Sequence, residues 1–305
     1  MDFVFPISGV ETALWIPPLV AFAISFFTSM AGVSGAFLLL PFQMSVLGFV
    51  SPSVTPTNLV FNITAIPSGV YRYLRERRLV WPLTGAVVAG TLPGVVIGGF
   101  IRLEFLSDPA PFKAFVGFVL LYIGLRLLQD VVRARRAAQP VEVASATQAQ
   151  DWSAETISFT WRNLDFRFRG EVYRCSTASI AAFSFFVGMV GGAYGIGGGA
   201  IVAPVFVTLY RLPVHAVAGA TLMGTFTTSV VGVLFFQAVA PYYSDGGVAV
   251  GPDWLLGALF GVGGVAGMYL GARTQRFVPA VWLKLMLGLI VIIVAVRYVT
   301  GYLLG

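Results

Sequence analysis

Long apolar segments recur through the chain, and they limit its fold more than any other feature does. Ten such segments can be recognised, five before residue 130 and five after residue 176. Most of them are long enough to cross a hydrocarbon layer of about 30 Å as a helix. Charged residues make up only 10% of the chain, whereas soluble domains carry about 25%, so lipid must solvate much of the surface. The sequence therefore predicts an all-α polytopic membrane protein. The segments cover residues 13–30, 32–50, 57–74, 80–101, 112–129, 177–191, 194–210, 217–240, 253–272 and 280–302.

The two sets of five segments are related by an internal repeat. Residues 31–73 align with residues 194–236 without a gap, at a displacement of 163 positions. Beyond that stretch the displacement becomes 173 and then 171. Such self-similarity indicates a duplicated structural unit. Glycines at every fourth position have the interval of helix contacts, and we expect them to pack helices together. The matched pairs include Gly35 with Gly198, Pro41 with Pro204, Trp81 with Trp254, Lys113 with Lys284, and Gly90, Gly94 and Gly98 with Gly263, Gly267 and Gly271.

Loop charge predicts how the two halves are oriented in the membrane. Arginines cluster in residues 72–78 and 133–136, whereas residues 241–253 contain neither lysine nor arginine. Cytoplasmic loops are enriched in these basic residues, so both termini are expected outside. Because five is an odd number, the second half must insert upside down relative to the first. This gives two inverted-topology repeats, as in many secondary transporters. A glycine-rich segment could instead form a re-entrant hairpin, so eight to ten transmembrane helices are expected.

A polar stretch separates the two membrane repeats. The predicted organisation is a first membrane repeat over 1–129, a cytoplasmic linker over 130–176 and a second membrane repeat over 177–305. Within the linker, residues 157–174 alternate apolar and polar side chains in places, which is consistent with a small β-hairpin. The linker either connects the two halves or has a regulatory role.

Glycine-rich motifs open the second segment of each half. They are MAGVSGAFLLLPF at 30–42 and GGAYGIGGGAIVAPVF at 191–206. A helix that begins inside the membrane presents free N–H groups and the positive end of its dipole, and glycine lets a ligand approach them closely. Such paired motifs indicate an anion site in a transporter, although small residues also serve close helix packing. The candidate substrate-binding residues in these motifs are Gly32, Ser34, Gly35, Gly195, Gly197, Gly198 and Gly199.

Polar side chains in the next segment of each half extend the candidate site. Asn58 and Asn62 are four residues apart and therefore share a helix face. Their repeat counterparts are Thr221 and Thr225, and Thr228 follows one turn later. Hydroxyl and amide groups at such positions either link helices or line a binding site.

The distribution of ionisable residues favours an anionic substrate. Aspartate and glutamate occur only between the ten segments or at their ends, whereas cation carriers and proton relays usually bury acids in the membrane. Basic residues near segment ends are explained by snorkelling to the interface. His215 could sense protons, but a lone histidine in a short loop is more often structural. The basic residues near segment ends are Lys113, Arg126, Lys284 and Arg297.

Motifs for catalysis are missing from the sequence. The Walker A, HExxH and GxSxG patterns do not occur. GIGGG at 195–199 lacks the βαβ unit and the later acidic residue of a dinucleotide site. We therefore expect no enzyme, no catalytic residue, no cofactor and no metal. The net charge of +6 is attributed to membrane orientation, and no nucleic-acid partner is expected.

The repeated motifs resemble the TauE/SafE sulfite exporter family, also called the TSUP permeases. The resemblance rests on GAYGIGGGAIVAPVF followed by LPVHAVAGATLMGTFTTS in the second half, and on AGVSGAFLLLPF followed by VSPSVTPTNLVFN in the first. It covers both membrane halves but not 130–176. The resemblance implies export of small sulfur-containing anions, such as sulfite, organosulfonates including sulfoacetate, or related carboxylates.

The two copies of the motifs are not identical. Val33 and Ser34 replace Ile196 and Gly197, and Asn58 replaces Thr221, so the halves are expected to contribute unequally to the site. A distant branch of permeases imports thiosulfate by a mechanism that uses several cysteines. This chain has Cys175 alone, so that mechanism is not expected here.

The resulting expectation is a secondary transporter, working as an exporter by alternating access. Its partners are a small anionic substrate and the lipid bilayer of a cell membrane, which in a Gram-negative bacterium is the inner membrane. A coupling proton and a homo-oligomer are left open. The alternatives are an anion channel and a non-transporting membrane scaffold subunit.

Overall fold

Helices make up most of the protein. The computed structural model describes residues 3–31, 33–75, 79–136, 154–168, 170–243, 247–274 and 277–304. The helices are α1 (Ile16–Met30), α2 (Ala36–Ser45), α3 (Val54–Ala65), α4 (Pro67–Arg75), α5 (Trp81–Glu104), α6 (Pro109–Arg136), α7 (Thr177–Tyr194), α8 (Gly199–Thr208), α9 (Val214–Tyr243), α10 (Trp254–Thr274) and α11 (Ala280–Leu304). The strands are β1 (Phe3–Val4), β2 (Glu11–Thr12), β3 (Ala154–Phe159), β4 (Leu164–Phe168) and β5 (Glu171–Cys175).

Each predicted apolar segment contains a helix. The third segment is divided between α3 and α4, because Pro67 has no N–H to continue the helical hydrogen bonds and begins a new helix. Helix α6 continues to Arg136, past the predicted repeat boundary at 129, since leucine, glutamine, arginine and alanine favour helix beyond the apolar segment. Within the described residues, six helices are long and apolar enough to cross a membrane: Trp81–Glu104, Pro109–Val132, Thr177–Tyr194, Ala216–Tyr243, Trp254–Thr274 and Val281–Leu304.

Helices α2 and α8 are among the five described helices that are too short to cross a membrane alone. Helices α2 and α8 have ten residues each, which at 1.5 Å per residue is about 15 Å, half of a hydrocarbon layer of about 30 Å. Helix α8 runs back along α7, because the rings of Phe183 and Phe206 lie 6.0 Å apart and the Ser179 and Tyr210 hydroxyls share a hydrogen bond. The α7–α8 pair is therefore a helical hairpin, with α1–α2 as its counterpart. We call residues 31–35 tip 1 and residues 195–198 tip 2.

The spaced glycines pack helices together, as their interval predicts. A Cβ atom added at Gly90, Gly94 or Gly98 of α5 would lie 2.1–2.3 Å from a backbone oxygen of α7. One added at Gly263, Gly267 or Gly271 of α10 would lie 1.9–2.4 Å from a backbone oxygen of α1. Only glycine permits such close approach of two backbones. The oxygens belong to Ala181, Phe185 and Met189 in α7, and to Pro18, Phe22 and Phe26 in α1.

The helix pairs of the two halves correspond to one another. The backbone oxygens that face the glycines in α7 are displaced by 163 positions from those in α1, which is the displacement of the sequence repeat. Helix α5 packs on α7 as α10 packs on α1, α5 packs on α9 as α10 packs on α3, and α6 packs on α11. If each helix is replaced by its counterpart in the other half, the same main helix pairs are obtained.

A small sheet lies at one end of the helices. Strands β3, β4 and β5 form a three-stranded antiparallel sheet, where the sequence predicts a hairpin. Phe166 and Phe168 of β4 are buried in the same core as the helices, while Arg167 points away and pairs with Glu155 at 3.1 Å, as the alternation of a strand requires. The Thr177 hydroxyl at the start of α7 donates to Thr160 O at 2.7 Å. We call this end the sheet face and the opposite end the far face.

Candidate functional site

The backbone of tip 2 explains its glycines. Gly195, Gly197 and Gly198 have φ values of 88°, 69° and 81°, in the left-handed region where other residues are strained. All residues of tip 2 are buried. Gly198 is the N-cap of α8, so this helix begins inside the protein, where its first N–H groups have no partner within the helix.

Asn58 connects the two hairpins. Its side-chain nitrogen donates to Ala36 O at the start of α2, at 3.0 Å, and to Gly195 O in tip 2, at 2.9 Å. Its side-chain oxygen accepts from Gln43 Nε2 at 3.2 Å, and the residue is fully buried. The predicted site residues of the two halves therefore meet at one position on α3.

Hydroxyl groups of α9 hold tip 2 from the other side. The Gly199 N–H donates to Thr225 Oγ1 at 3.1 Å, and the Thr228 hydroxyl donates to Gly197 O at 3.1 Å. Thr221 lies beside the same helix start, but its hydroxyl donates to Val217 O of its own helix at 2.9 Å. Thr225 and Thr228 therefore contact the glycine motif through hydrogen bonds, and Thr221 does not.

Unpartnered polar atoms lie in this region. Both the nitrogen and the oxygen of the Asn62 side-chain amide are buried without a hydrogen-bond partner, one turn after Asn58. Ser25 Oγ and Ser229 Oγ are also buried and unpartnered. Ser25 Oγ lies 2.9 Å from a Cβ placed at Gly35, and Ser229 Oγ lies 3.0 Å from one placed at Gly197. Buried polar groups are normally paired, so these atoms are available to a bound ligand or water.

Tip 1 is built differently from tip 2. The Ser34 hydroxyl accepts from the Ala36 N–H at 3.3 Å, and Gly35 is the N-cap of α2. Gly35 has an ordinary helical φ of −71° and packs against Ser25 and Thr28 of α1. Gly32, the remaining predicted residue, lies outside the described residues.

Arg102 is a buried cation that the sequence analysis missed. It is fully buried near the end of α5, and its guanidinium carbon lies 3.7 Å from the centre of the Phe112 ring. Its Nε donates to Thr55 Oγ1 at 3.2 Å, and Nη1 donates to Leu106 O. Nη2 has no hydrogen-bond partner, and no carboxylate of the described residues forms an ion pair with Arg102. A buried charge without a counter-charge is costly, and inside a membrane protein it indicates a functional group.

Hydrogen bonds connect Arg102 to tip 2. Thr55, which accepts from Arg102, donates its own hydroxyl to Ala193 O at 3.2 Å, two residues before Gly195. Thr55 O also lies 2.7 Å from a Cβ placed at Gly195. Leu103, next to Arg102, and Pro52 line a cavity of about 350 Å³ at the far face. Thr55 therefore links the guanidinium to the backbone beside tip 2, and the residue after Arg102 lines a cavity at the surface.

A sequence signal for Arg102 exists. It lies four residues after Gly98 in the series 90, 94, 98 and 102, so it is a neighbour of Gly98 on the helix surface. The predicted apolar segment ends at residue 101, which leaves Arg102 in a loop. Extending the series by one turn places the side chain inside the protein.

The other predicted basic residues lie near helix ends. Lys284 pairs with Asp130 at 3.0 Å, and Arg126 lies over the Tyr122 ring at 5.7 Å. Lys113 and Arg297 line a second cavity at the far face. The side chain of His215 lies outside the described residues.

Cys175 lies at the end of β5, outside the membrane helices. Burial, and to a smaller extent the carboxylate of Asp165, raises the pKa of its thiol to about 11. The thiolate is the reactive form of cysteine, so this thiol is protonated and unreactive at neutral pH.

Known proteins match the chain over nearly its full length. Residues 18–298 match the family described as sulfite exporter TauE/SafE. The chain belongs to the TauE/SafE sulfite exporter family. The probable membrane transporter protein YunE of Bacillus subtilis (strain 168) is 22% identical to this TauE/SafE protein over 282 residues, which are 89% of this chain and 92% of YunE. No solved structure matches the chain significantly. Together with the six long apolar helices, these matches identify a multi-pass membrane transporter.

Proposed function

We propose that this chain is a secondary transporter that exports a small sulfur-containing anion, with sulfite and organosulfonates as the leading substrates. The observation that carries the proposal is Arg102, a fully buried guanidinium with no carboxylate partner among the described residues. An anion entering this region would supply the missing counter-charge. A cation would be repelled by it.

The substrate-binding region includes both tips and α3 and α9. The start of α8 offers the positive end of its helix dipole to an anion, while its Gly199 N–H is held by Thr225 Oγ1. Asn62, Ser25 and Ser229 offer buried polar atoms without partners, which can replace water around an oxyanion. The predicted set Gly32, Ser34, Gly35, Asn58, Asn62, Gly195, Gly197, Gly198, Gly199, Thr221, Thr225 and Thr228 is retained, and Arg102 is added to it.

Alternating access between two inverted repeats is the proposed mechanism. The exchange of helix pairs between the halves supports it, as does the 163-position match of the glycine-facing oxygens. If α1–α2 and α7–α8 are re-entrant hairpins, the crossings of the first half are α3 with α4, α5 and α6. Those of the second half are α9, α10 and α11, so each half crosses the membrane three times. Three is odd, so the second half is still inverted, and the arginine-rich loops and both termini keep their predicted sides.

The proposed placement in the cell follows from the same topology. The repeats 1–129 and 177–305 lie in the cell membrane, which in a Gram-negative bacterium is the inner membrane. Residues 130–176, with the sheet, lie on the cytoplasmic side. A coupling proton and a homo-oligomer are compatible with this arrangement.

Flux measurements on the purified full chain in liposomes test the proposal. Labelled sulfite, sulfoacetate and a plain carboxylate are offered separately, with and without an imposed pH gradient. Saturable flux of a sulfur anion supports the transporter, and its pH response reports on proton coupling. Flux that rises linearly with concentration indicates a channel. Absence of flux for all three anions from folded protein contradicts the proposed substrates.

A further inference from the structure

A second cavity lies at the far face, between the start of α6 and the ends of α2 and α11. Its volume is about 420 Å³. Two cationic side chains, Lys113 and Arg297, line it together with the hydroxyl-bearing residues Ser45, Tyr298 and Tyr302. The Ser45 and Tyr298 hydroxyls share a hydrogen bond of 2.5 Å. The cavity therefore combines two positive charges with hydroxyl groups.

The internal repeat provides a reference for the charges of this cavity. At the displacement of 171 positions, Lys113 corresponds to Lys284, Arg297 to Arg126, and Gly301 to Asp130. At the sheet face, Lys284 Nζ lies 3.0 Å from Asp130 Oδ2, so an acid neutralises the lysine. At the far face, glycine occupies the position of that acid, and Gly301 lines the cavity.

The far-face cations lack a carboxylate partner. Neither Lys113 nor Arg297 forms an ion pair within the described part of the chain. Asp108, which lies just before the start of α6, is exposed and makes no ion pair with Lys113. Lys113 is half-buried, so its ammonium group is partly removed from the water that would otherwise solvate it.

We propose that this cavity binds a phosphate-like oxyanion in the place that Asp130 fills for Lys284 at the sheet face. The oxyanion is the phosphate group of an anionic lipid or a free inorganic oxyanion. Lys113 and Arg297 supply the charge, and the hydroxyl groups beside them supply hydrogen bonds. Neither Arg102 nor any residue of tip 2 lines this cavity, and the inference holds whichever substrate is exported.

Gly301→Asp is the sharpest variant for a test. A Cβ atom at Gly301 meets no atom within 4 Å, so the new side chain has room. It would place a carboxylate where the repeat has Asp130, and that carboxylate would compete with the oxyanion for Lys113. Gly301→Asn is the matched neutral control, and Lys113→Gln removes the cation directly.

The experiment measures the thermal unfolding midpoint of the purified full chain as ligand is added, since a ligand that binds the folded state raises this midpoint. One arm adds phosphatidylglycerol, with phosphatidylcholine as control. The other adds sodium sulfate or phosphate, with sodium chloride at equal ionic strength as control. The arm that produces the shift identifies the source of the oxyanion.

The expected result is a shift in the wild type and in Gly301→Asn, in at least one arm. In Gly301→Asp and Lys113→Gln, the ligand concentration that gives half of the shift should rise about tenfold, the effect of losing one ionic contact worth about 1.4 kcal/mol. The inference is overturned if the wild type responds in neither arm, or if Gly301→Asp responds as Gly301→Asn does. Binding at the transport site would produce the latter result.

Discussion

The two hairpin tips occupy equivalent positions in the repeat but differ in backbone conformation and in the hydrogen bonds that hold them. Tip 2 has three left-handed glycines and is held by hydroxyl groups from α9 of its own half. Tip 1 has a serine whose hydroxyl accepts from the Ala36 N–H and an ordinary helical glycine at Gly35. The equivalent residues on the next helix also differ, because Asn58 links both hairpins whereas Thr221 bonds its own helix.

This difference suggests a division of roles between the halves. The second half holds its tip in a fixed shape, since Thr225 and Thr228 are both paired with it. The first half leaves more polar atoms free, because both polar atoms of the Asn62 amide, the counterpart of Thr225, lack partners, whereas among the described residues beside tip 2 only Ser229 Oγ does. The first half also contains Arg102. We infer that tip 2 presents backbone groups of fixed geometry and that the first half supplies most of the side chains that meet the substrate.

The largest loss of stability is expected at Gly195. In Gly195→Ala, alanine would have to adopt the left-handed backbone of Gly195, and its Cβ would lie 2.7 Å from Thr55 O. Together, strain and overlap should lower the free energy of unfolding by about 3 kcal/mol. Thermal unfolding in detergent measures the change, and Gly9→Ala, which has a similar φ and no atom within 4 Å of its Cβ, is the control for strain alone. Equal effects of the two substitutions would show that Thr55 does not restrict tip 2.

A smaller loss of stability is expected at Gly198, and it should exceed the loss at its repeat partner Gly35. Gly198→Ala should cost about 1–2 kcal/mol of stability, because its φ of 81° strains any residue with a Cβ. Gly35→Ala should change stability by less, since its backbone is helical and the nearest atom is the hydroxyl of Ser25. Both variants are compared by unfolding midpoint. If Gly35→Ala proves the more harmful of the two, tip 1 is the more tightly constrained hairpin.

Much of this comparison follows from the sequence, but part of it does not. The apolar segments and the spaced glycines predict helices and their contacts, because burial and close approach depend on local spacing. The paired motifs also predict that Asn58 and the second glycine motif belong together. Arg102 was missed because its burial depends on how far α5 extends and on its contacts with Thr55 of α3 and Phe112 of α6. The separate roles of Thr221 and Thr225 depend on rotamers, which equal spacing on one helix face does not determine.

The smallest change in stability is expected for substitutions of the threonines of α9. Thr225→Val removes the acceptor of the Gly199 N–H and should cost about 1 kcal/mol, with a matching loss of transport. Thr221→Val removes a hydroxyl that bonds only its own helix and should reduce transport less than Thr225→Val does. Initial rates of anion flux in liposomes compare the two. A larger loss in Thr221→Val would mean that its hydroxyl turns toward the substrate.

The central claim is that Arg102 supplies the positive charge for the transported anion. The most direct test is sulfite flux in liposomes from Arg102→Gln, with Arg273→Gln, an exposed arginine of α10, as the matched control. Loss of a charged hydrogen-bonding partner should reduce flux about 10- to 100-fold, and Arg102→Lys should retain more flux than Arg102→Gln. The unfolding midpoint of Arg102→Gln should not fall, since the substitution removes an uncompensated buried charge. Unchanged flux in a folded Arg102→Gln protein would contradict the account.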